Sequence, residues 1–380
     1  MSSSIRDVLS SGAWHDLTAW LPNDLDALAA ETLGFQRRRA IQSPSDFVRV
    51  SMAYGVLDLS LRSVAAWCGE HGLGDLSDVA VLGRLRRGWP LLRAVVERLL
   101  SNQVSDAPRG VLKRRVRLID ATTVSRPGSE GADWRVHVSY DLARGMVDGV
   151  ELTDGRGGEH LGRLALAPGD LAVVDRGYAH EKRVWEALET GADVLLRIGH
   201  RAVPLTDAHG AEVDPLRVAT RKRASAGRPP RSESHTVFMR LDGARTRPLR
   251  VIVVRKSLDA AERDRERVRK EAQRKGKVPT QRTLEACRFA FLLTSVPARE
   301  ADAAAIANLY RVRWQIELVF KRWKSLLGLA NLRAEDPDLA RAYIYAKLIG
   351  ALLADKMARQ WRAFSPYGVP VRPGDVAGVA

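Results

Sequence analysis

The stretch GDLAVVDRGYAHEKRVWEALETGADVLLRI, residues 169–198, restricts the fold more than any other part of the chain. Leu171 to Val174 form a continuous apolar run, Gly177 breaks it, helical spacing continues to about Thr190, and Gly191 stops the helix before a second apolar run. A strand that is apolar at every position is covered on both faces, and strand, helix and strand at this spacing make parallel neighbours in one sheet. Upstream, RVRLIDATTV alternates so that Val116, Leu118 and Asp120 share a face. DWRVHVSYDLARGMVDGVELTD reads as a hairpin, with Trp134, Val136, Val138 and Tyr140 on one face and a turn around Ala143 to Gly145. Antiparallel strands followed by a βαβ unit give an α/β fold, a mixed sheet flanked by helices.

Around this core the chain divides by pattern. Residues 1–108 are rich in Leu, Ala and Arg at helical spacing, an N-terminal all-helical domain and a candidate DNA-binding domain. Within it, LSLRSVAAWCGEHGLGDLSDVAVLGRLRR reads as two helices around a Gly-containing turn, the second capped by Asp75 or Ser77 and ending in Arg84, Arg86 and Arg87. A helix-turn-helix and an ordinary helical hairpin fit that pattern equally well. The sheet occupies 109–198 and resumes with RFAFLLTSV in 286–360. Between them, 199–285 reads as a basic, mainly β insertion domain containing a highly charged helix from Asp259 to Lys277, and 361–380 as a flexible, Pro/Gly-rich tail. His137, on the strand face opposite Trp134, reads as a solvated or hydrogen-bonded histidine.

The net charge of +16 implies a polyanionic partner. Residues 217–282 hold 21 basic and 7 acidic side chains and so carry +14 of it. Cys68 and Cys287 are far apart and without partners at metal-ligand spacing, which excludes a disulfide framework or zinc site and leaves both as small buried hydrophobes. No apolar run approaches the roughly 20 residues that cross a membrane, and the N-terminus lacks the pattern of a secretory signal. The expectation is a cytoplasmic protein.

LYRVRWQIELVFKRWKSLL, residues 309–327, has the spacing of one amphipathic helix. At 100° per residue, Tyr310, Arg313, Glu317, Lys321 and Lys324 fall within an arc of about 80°. Leu309, Val312, Ile316, Val319, Trp323 and Leu327 lie on the other side. One carboxylate therefore stands within a stripe of cations and a phenol. Asp120 and Asp175 each end an apolar strand, and each alone could simply cap the following turn. If the first and fourth strands are neighbours, however, both acids meet at one end of the sheet. Two close carboxylates need a cation, and oxygen-only ligands select Mg²⁺, with Mn²⁺ able to substitute. With Glu317 as the third ligand and the flanking cations facing phosphates, this constellation suits two-metal phosphoryl transfer.

Tyr310-x₂-Arg313-x₃-Glu317-x₆-Lys324 resembles the YREK signature of the DDE transposases of bacterial insertion sequence family four. LIDATTV around Asp120, GEHLGRLALAPGDLAVVDRGYA around Asp175 and FLLTSVPA before the signature extend the resemblance over roughly 110–350. It implies an RNase H-like core in which Asp120, Asp175 and Glu317 bind two Mg²⁺ ions, and an insertion domain that accounts for the 142 residues from Asp175 to Glu317. It also implies that Tyr310, Arg313 and Lys324 hold the terminal phosphates, with Lys321 beside them. The partners would be the terminal inverted repeats of the element and target double-stranded DNA, met by a homodimer at the nucleoid. Cut-and-paste transposition would follow, through a hairpin intermediate. Two features depart from the pattern. No Trp lies between Trp185 and Trp314 to stack on a flipped base, Phe238 being the mid-insertion aromatic, and little sequence follows the helix DLARAYIYAKLIGALLADKMARQW. These keep two alternatives open: an inactive or truncated copy that binds element ends as a repressor, and a two-metal nuclease without strand joining.

Overall fold

The computed structural model describes residues 5–10, 14–36, 38–101, 111–200, 202–221, 231–241 and 245–364. It begins with helices α1 (Ile5–Ser10), α2 (Trp14–Thr18), α3 (Leu25–Thr32), α4 (Pro44–Gly55), α5 (Leu61–Glu70) and α6 (Asp78–Ser101). Strands β1 (Arg115–Val124), β2 (Trp134–Asp141), β3 (Met146–Asp154) and β4 (Asp170–Val174) follow, then α7 (Glu181–Glu189) and β5 (Asp193–Ile198). Next come β6 (Leu205–Thr206), α8 (Pro215–Thr220), β7 (Ser232–Leu241), β8 (Arg245–Arg255), α9 (Leu258–Arg274) and α10 (Gln281–Ala286). The described chain closes with β9 (Phe289–Thr294), α11 (Ala303–Arg311), α12 (Trp314–Leu327) and α13 (Pro337–Phe364). None of the described helices is long and apolar enough to cross a membrane.

The chain forms two compact units, one of residues 1–103, 124–130 and 322–380, the other of 104–123 and 131–321. These divisions differ from the boundaries read along the sequence: 199–285 falls in one unit with the strands that flank it, and α13 falls with the N-terminal helices.

In the helical unit, α13 packs along α4 and α6. Gly55 makes the close approach possible, because a Cβ there would sit 2.8 Å from Ala346 Cβ and 2.9 Å from the Tyr343 carbonyl. Tyr343 donates its hydroxyl to Asp58 Oδ1 at 2.5 Å. Ser77, rather than Asp75, caps α6, accepting from Ala80 N at 3.2 Å. This helix does not end at Arg87; it continues through Pro90 to Ser101. The buried stripe Leu85, Leu92, Val95, Val96 and Leu99 outweighs the roughly 3 kcal/mol that an interior proline costs. A long core helix of this kind fits the helical-hairpin reading, and Arg86 is occupied by an ion pair with Asp336 at 2.9 Å. The expected flexible tail is helical as far as Phe364, and the rest of it lies outside the described residues.

Lys347 is buried in this unit and closes the C-terminal end of α12 by donating to the carbonyls of Leu327 and Gly328, at 2.8 and 2.9 Å. Burial pushes its pKa down to about 8, against the favourable charge of Asp58. The unfolded chain therefore holds this proton more tightly, and folding stability rises with pH from about 8 toward the ordinary lysine value. The stability difference between wild type and Lys347→Met, measured by denaturant unfolding, is expected to change over that window and to be flat below it.

The second unit is built on one sheet of nine strands among the described residues, in the order β3-β2-β1-β4-β5-β9-β8-β7-β6. β1 pairs parallel with β4 and β4 parallel with β5, as the apolar runs require. β2 and β3 form the hairpin, whose turn uses Gly145 at φ 64°. β9 pairs antiparallel with both β5 and β8, so the strands of 199–285 continue the sheet rather than fold apart from it. Val174, Leu196, Val251 and Leu293 share one buried cluster with Trp185 and Leu188 of α7. His137 is buried, not solvated, with Nε2 3.0 Å from Thr153 Oγ1; burial pushes its pKa down to about 4, with Arg163 and Arg135 adding to the shift.

Candidate active site

The parallel pairing of β1 with β4 decides where the acids meet. Its last partners are Ile119 and Val174, so Asp120 and Asp175 follow side by side at the same sheet end. Each also caps its own turn: Asp120 Oδ1 accepts from Ala121 N at 2.8 Å and Asp175 Oδ1 from Gly177 N at 2.7 Å. The capping role and the joint placement coexist, because each carboxylate has a second oxygen. Asp120 is largely buried, and burial pushes its pKa up to about 6. The charges of Asp175 and Glu159 push the same way, while the Ala121 N–H and Arg313 oppose them.

The single helix expected over 309–327 is two. α11 ends at Arg311 and α12 starts at Trp314, with Val312 and Arg313 in a turn between them. Arg313 N bonds back to Tyr310 O at 3.1 Å and Ile316 N to Arg313 O at 3.2 Å, a tightened spacing of three residues. Arg313 is thereby set between two acids. Its Nη1 lies 3.1 Å from Asp120 Oδ2, and its Nη2 pairs with Glu317. Glu317 is exposed in the first turn of α12, as is Lys321 further along. Tyr310 is half-buried; burial pushes its pKa up to about 12, with Arg313 and Arg197 opposing and Asp175 adding. Lys324, exposed in the last turn of α12, belongs to the helical unit.

Asp120, Arg313 and Glu317 are thus linked, with Asp175 beside Asp120. Among the described residues no three His, Cys, Asp or Glu side chains stand at metal-ligand spacing. The donor chemistry nevertheless suits a hard divalent cation: oxygen ligands only, one of them a carboxylate whose ionised form is disfavoured by burial and by neighbouring acids.

Two groups escape a reading of the sequence. Glu159 is a further acid at this end of the sheet; its pKa is raised by burial, with Arg135 opposing and Asp175 adding. As a lone Glu in a Gly-rich loop it has no periodicity to betray it. The second is a cavity of about 410 Å³ bordered by Arg176, Arg197, Lys256, Arg267, Phe289 and Phe291. Three of its cations share one acid, Asp264, which pairs with Lys256 and lies 2.9 Å from Arg267 and 4.0 Å from Arg197. Arg197 comes from β5, Phe289 and Phe291 from β9 and Arg267 from α9, while Arg176 follows β4 and Lys256 follows β8, and only the folded sheet brings them together.

The model of the transposase DDE domain matches residues 112–353. The chain is 36% identical over 352 residues to the InsL protein of insertion sequence element IS186A from Escherichia coli K12, covering 91% of this chain and 93% of that protein. It is 35% identical to the transposase of IS421 from Escherichia coli, with the same coverage. The transposase of IS231F from Bacillus thuringiensis subsp. israelensis is 23% identical, over 63% of this chain and 56% of that protein. Both strand-end aspartates and the whole of α12 lie inside the matched domain, and the chain belongs to the DDE transposases of insertion sequences.

Proposed function

We propose that this transposase cuts DNA at the ends of its element and joins the freed ends to target DNA, with Asp120, Asp175 and Glu317 as the ligands of two divalent cations. The observation that carries the reading is the β1–β4 register, which sets Asp120 beside Asp175, together with the Arg313 bridge from Asp120 to Glu317. On this reading the core is RNase H-like, and 199–285 interrupts it in sequence while extending its sheet. Bound Mg²⁺ would activate the attacking hydroxyl and stabilise the leaving oxygen. The chain's own part is orientation and charge. Arg313 neutralises both acids in the protein alone, and on DNA its guanidinium suits a bidentate grip on a phosphate, which frees Glu317. Tyr310, Lys321 and Lys324 serve as further contacts to the terminal phosphates, and a homodimer holds the paired ends.

The cationic cavity fits the same reading. Arg176, Arg197 and Arg267 at its border offer cations to a DNA phosphate, while Phe289 and Phe291 are buried in the sheet core.

The test is incubation of purified protein with a labelled duplex carrying the element's terminal repeat, in Mg²⁺ and in EDTA. Nicking at the repeat boundary in Mg²⁺ alone is the expected result. Binding without cleavage in either Mg²⁺ or Mn²⁺ would favour a copy that only occupies the ends, and nicking without joined products would favour a nuclease.

A further inference from the structure

Glu159 is built into the acidic end of the sheet. Its Oε1 faces Arg135 Nη1 at 3.7 Å, and Arg135 is fixed in turn by the Gly157 carbonyl at 3.2 Å. The other oxygen, Oε2, lies against Gly177, where an added Cβ would overlap it. The Gly177 N–H meanwhile holds Asp175 Oδ1. One glycine therefore serves two carboxylates, binding one through its N–H and admitting the other over its Cα. Next to it, Tyr178 is fully buried and its hydroxyl has no hydrogen-bond partner among the described residues. The acids whose charges bear on that hydroxyl are Asp120, Glu159 and Asp175, with Arg135 as the opposing cation. A buried hydroxyl left without a partner keeps its desolvation penalty uncompensated. An aromatic core position needs no hydroxyl, and Phe would fill it at no such cost.

A hydrated divalent ion answers both features. Mg²⁺ is held directly by one or two carboxylates and keeps several waters, which need acceptors and donors around them. We propose that Glu159 is a fourth carboxylate of the catalytic centre, a positioning residue that, with the Tyr178 hydroxyl, binds the hydration shell of a divalent cation held by Asp120 and Asp175. The proposal rests on the reading of Asp120 and Asp175 as cation ligands.

The experiment titrates Mn²⁺ alone into the full-length, DNA-free protein, with unbound ion read by electron paramagnetic resonance and thermal unfolding recorded in EDTA. Glu159→Gln is expected to weaken Mn²⁺ binding by about 10–100-fold, the usual effect of losing an outer partner of a metal site. Tyr178→Phe is expected to weaken it several-fold while unfolding at or above the wild-type temperature. Wild-type Mn²⁺ affinity in both variants, alongside loss of binding in Asp120→Asn, would overturn the proposal and leave the ligand reading standing. Wild-type affinity in Asp120→Asn as well would remove both. A lowered unfolding temperature with unchanged affinity would make Glu159 a purely structural group.

Discussion

Asp120→Asn, Asp175→Asn and Glu317→Gln are each expected to reduce strand cleavage by about a thousandfold or more, while gel-shift affinity for the terminal repeat stays within a few-fold of wild type. The magnitude follows from the several kcal/mol that a metal-bound centre contributes to phosphoryl transfer. The asymmetry follows from the proposed roles: removing one carboxylate would take away a cation ligand but no phosphate contact. Asp120→Asn carries a second expectation. Its carboxylate is held at a raised pKa mainly by burial, so the neutral amide should fold at least as stably at neutral pH without metal. A variant that keeps near-wild-type cleavage removes that residue from the set, and a parallel loss of DNA binding would point to a folding defect instead.

The largest stability effect is expected at Arg117, three residues before Asp120 on β1. Its guanidinium is buried and binds Ser139 Oγ at 3.0 Å, Asp148 at 3.0 Å and Asp170 at 3.2 Å, while neighbouring Arg115 binds Asp141 at 2.8 Å and Asp148 at 2.6 Å. Arg117→Met fills similar space but leaves Asp170 in the interior without its cation and Asp148 with Arg115 alone. Breaking a buried pair from one side costs about 3–5 kcal/mol. Arg93→Met is the control, because its pair with Glu97 is exposed, with both side chains 56% accessible, and such pairs contribute about 0.2–1 kcal/mol. Urea unfolding of the two variants checks the contrast; equal, small losses would mean that the buried network adds little to the fold.

Much of the site was legible because its signals are local. The unbroken apolar run before Asp175 requires a doubly covered strand, and the βαβ spacing makes it a parallel one. From there, the meeting of Asp120 and Asp175 needs only that β1 and β4 pair. The break at Val312 and Arg313 was not legible, since a tightened turn of three residues hardly disturbs a period of 3.6 and the apolar positions on either side still read as one stripe. The continuation of α6 past Pro90 was hidden for the opposite reason: the local signal says stop, and packing along its length overrides it. Alternation in HTVFMRLDG and LRVIVVRK shows which residues share a face but not which strand lies alongside, so the joining of β8 to β9 came from the structure alone. Glu159 left no pattern at all, because its meaning depends on the absence of a side chain at Gly177.

The continuity of the sheet from β5 through β9 into β8 and β7 has a mechanical consequence. A segment joined to the core by the β8–β9 ladder of backbone hydrogen bonds cannot swing as a lid about a flexible hinge. Amides of β8 should therefore exchange with deuterium as slowly as those of β5, and force applied to 245–255 should pass into β5 without slack. Arg197 and Phe291, on those adjoining strands, should therefore keep a fixed separation, which would make the cavity they border a rigid gauge for whatever enters it.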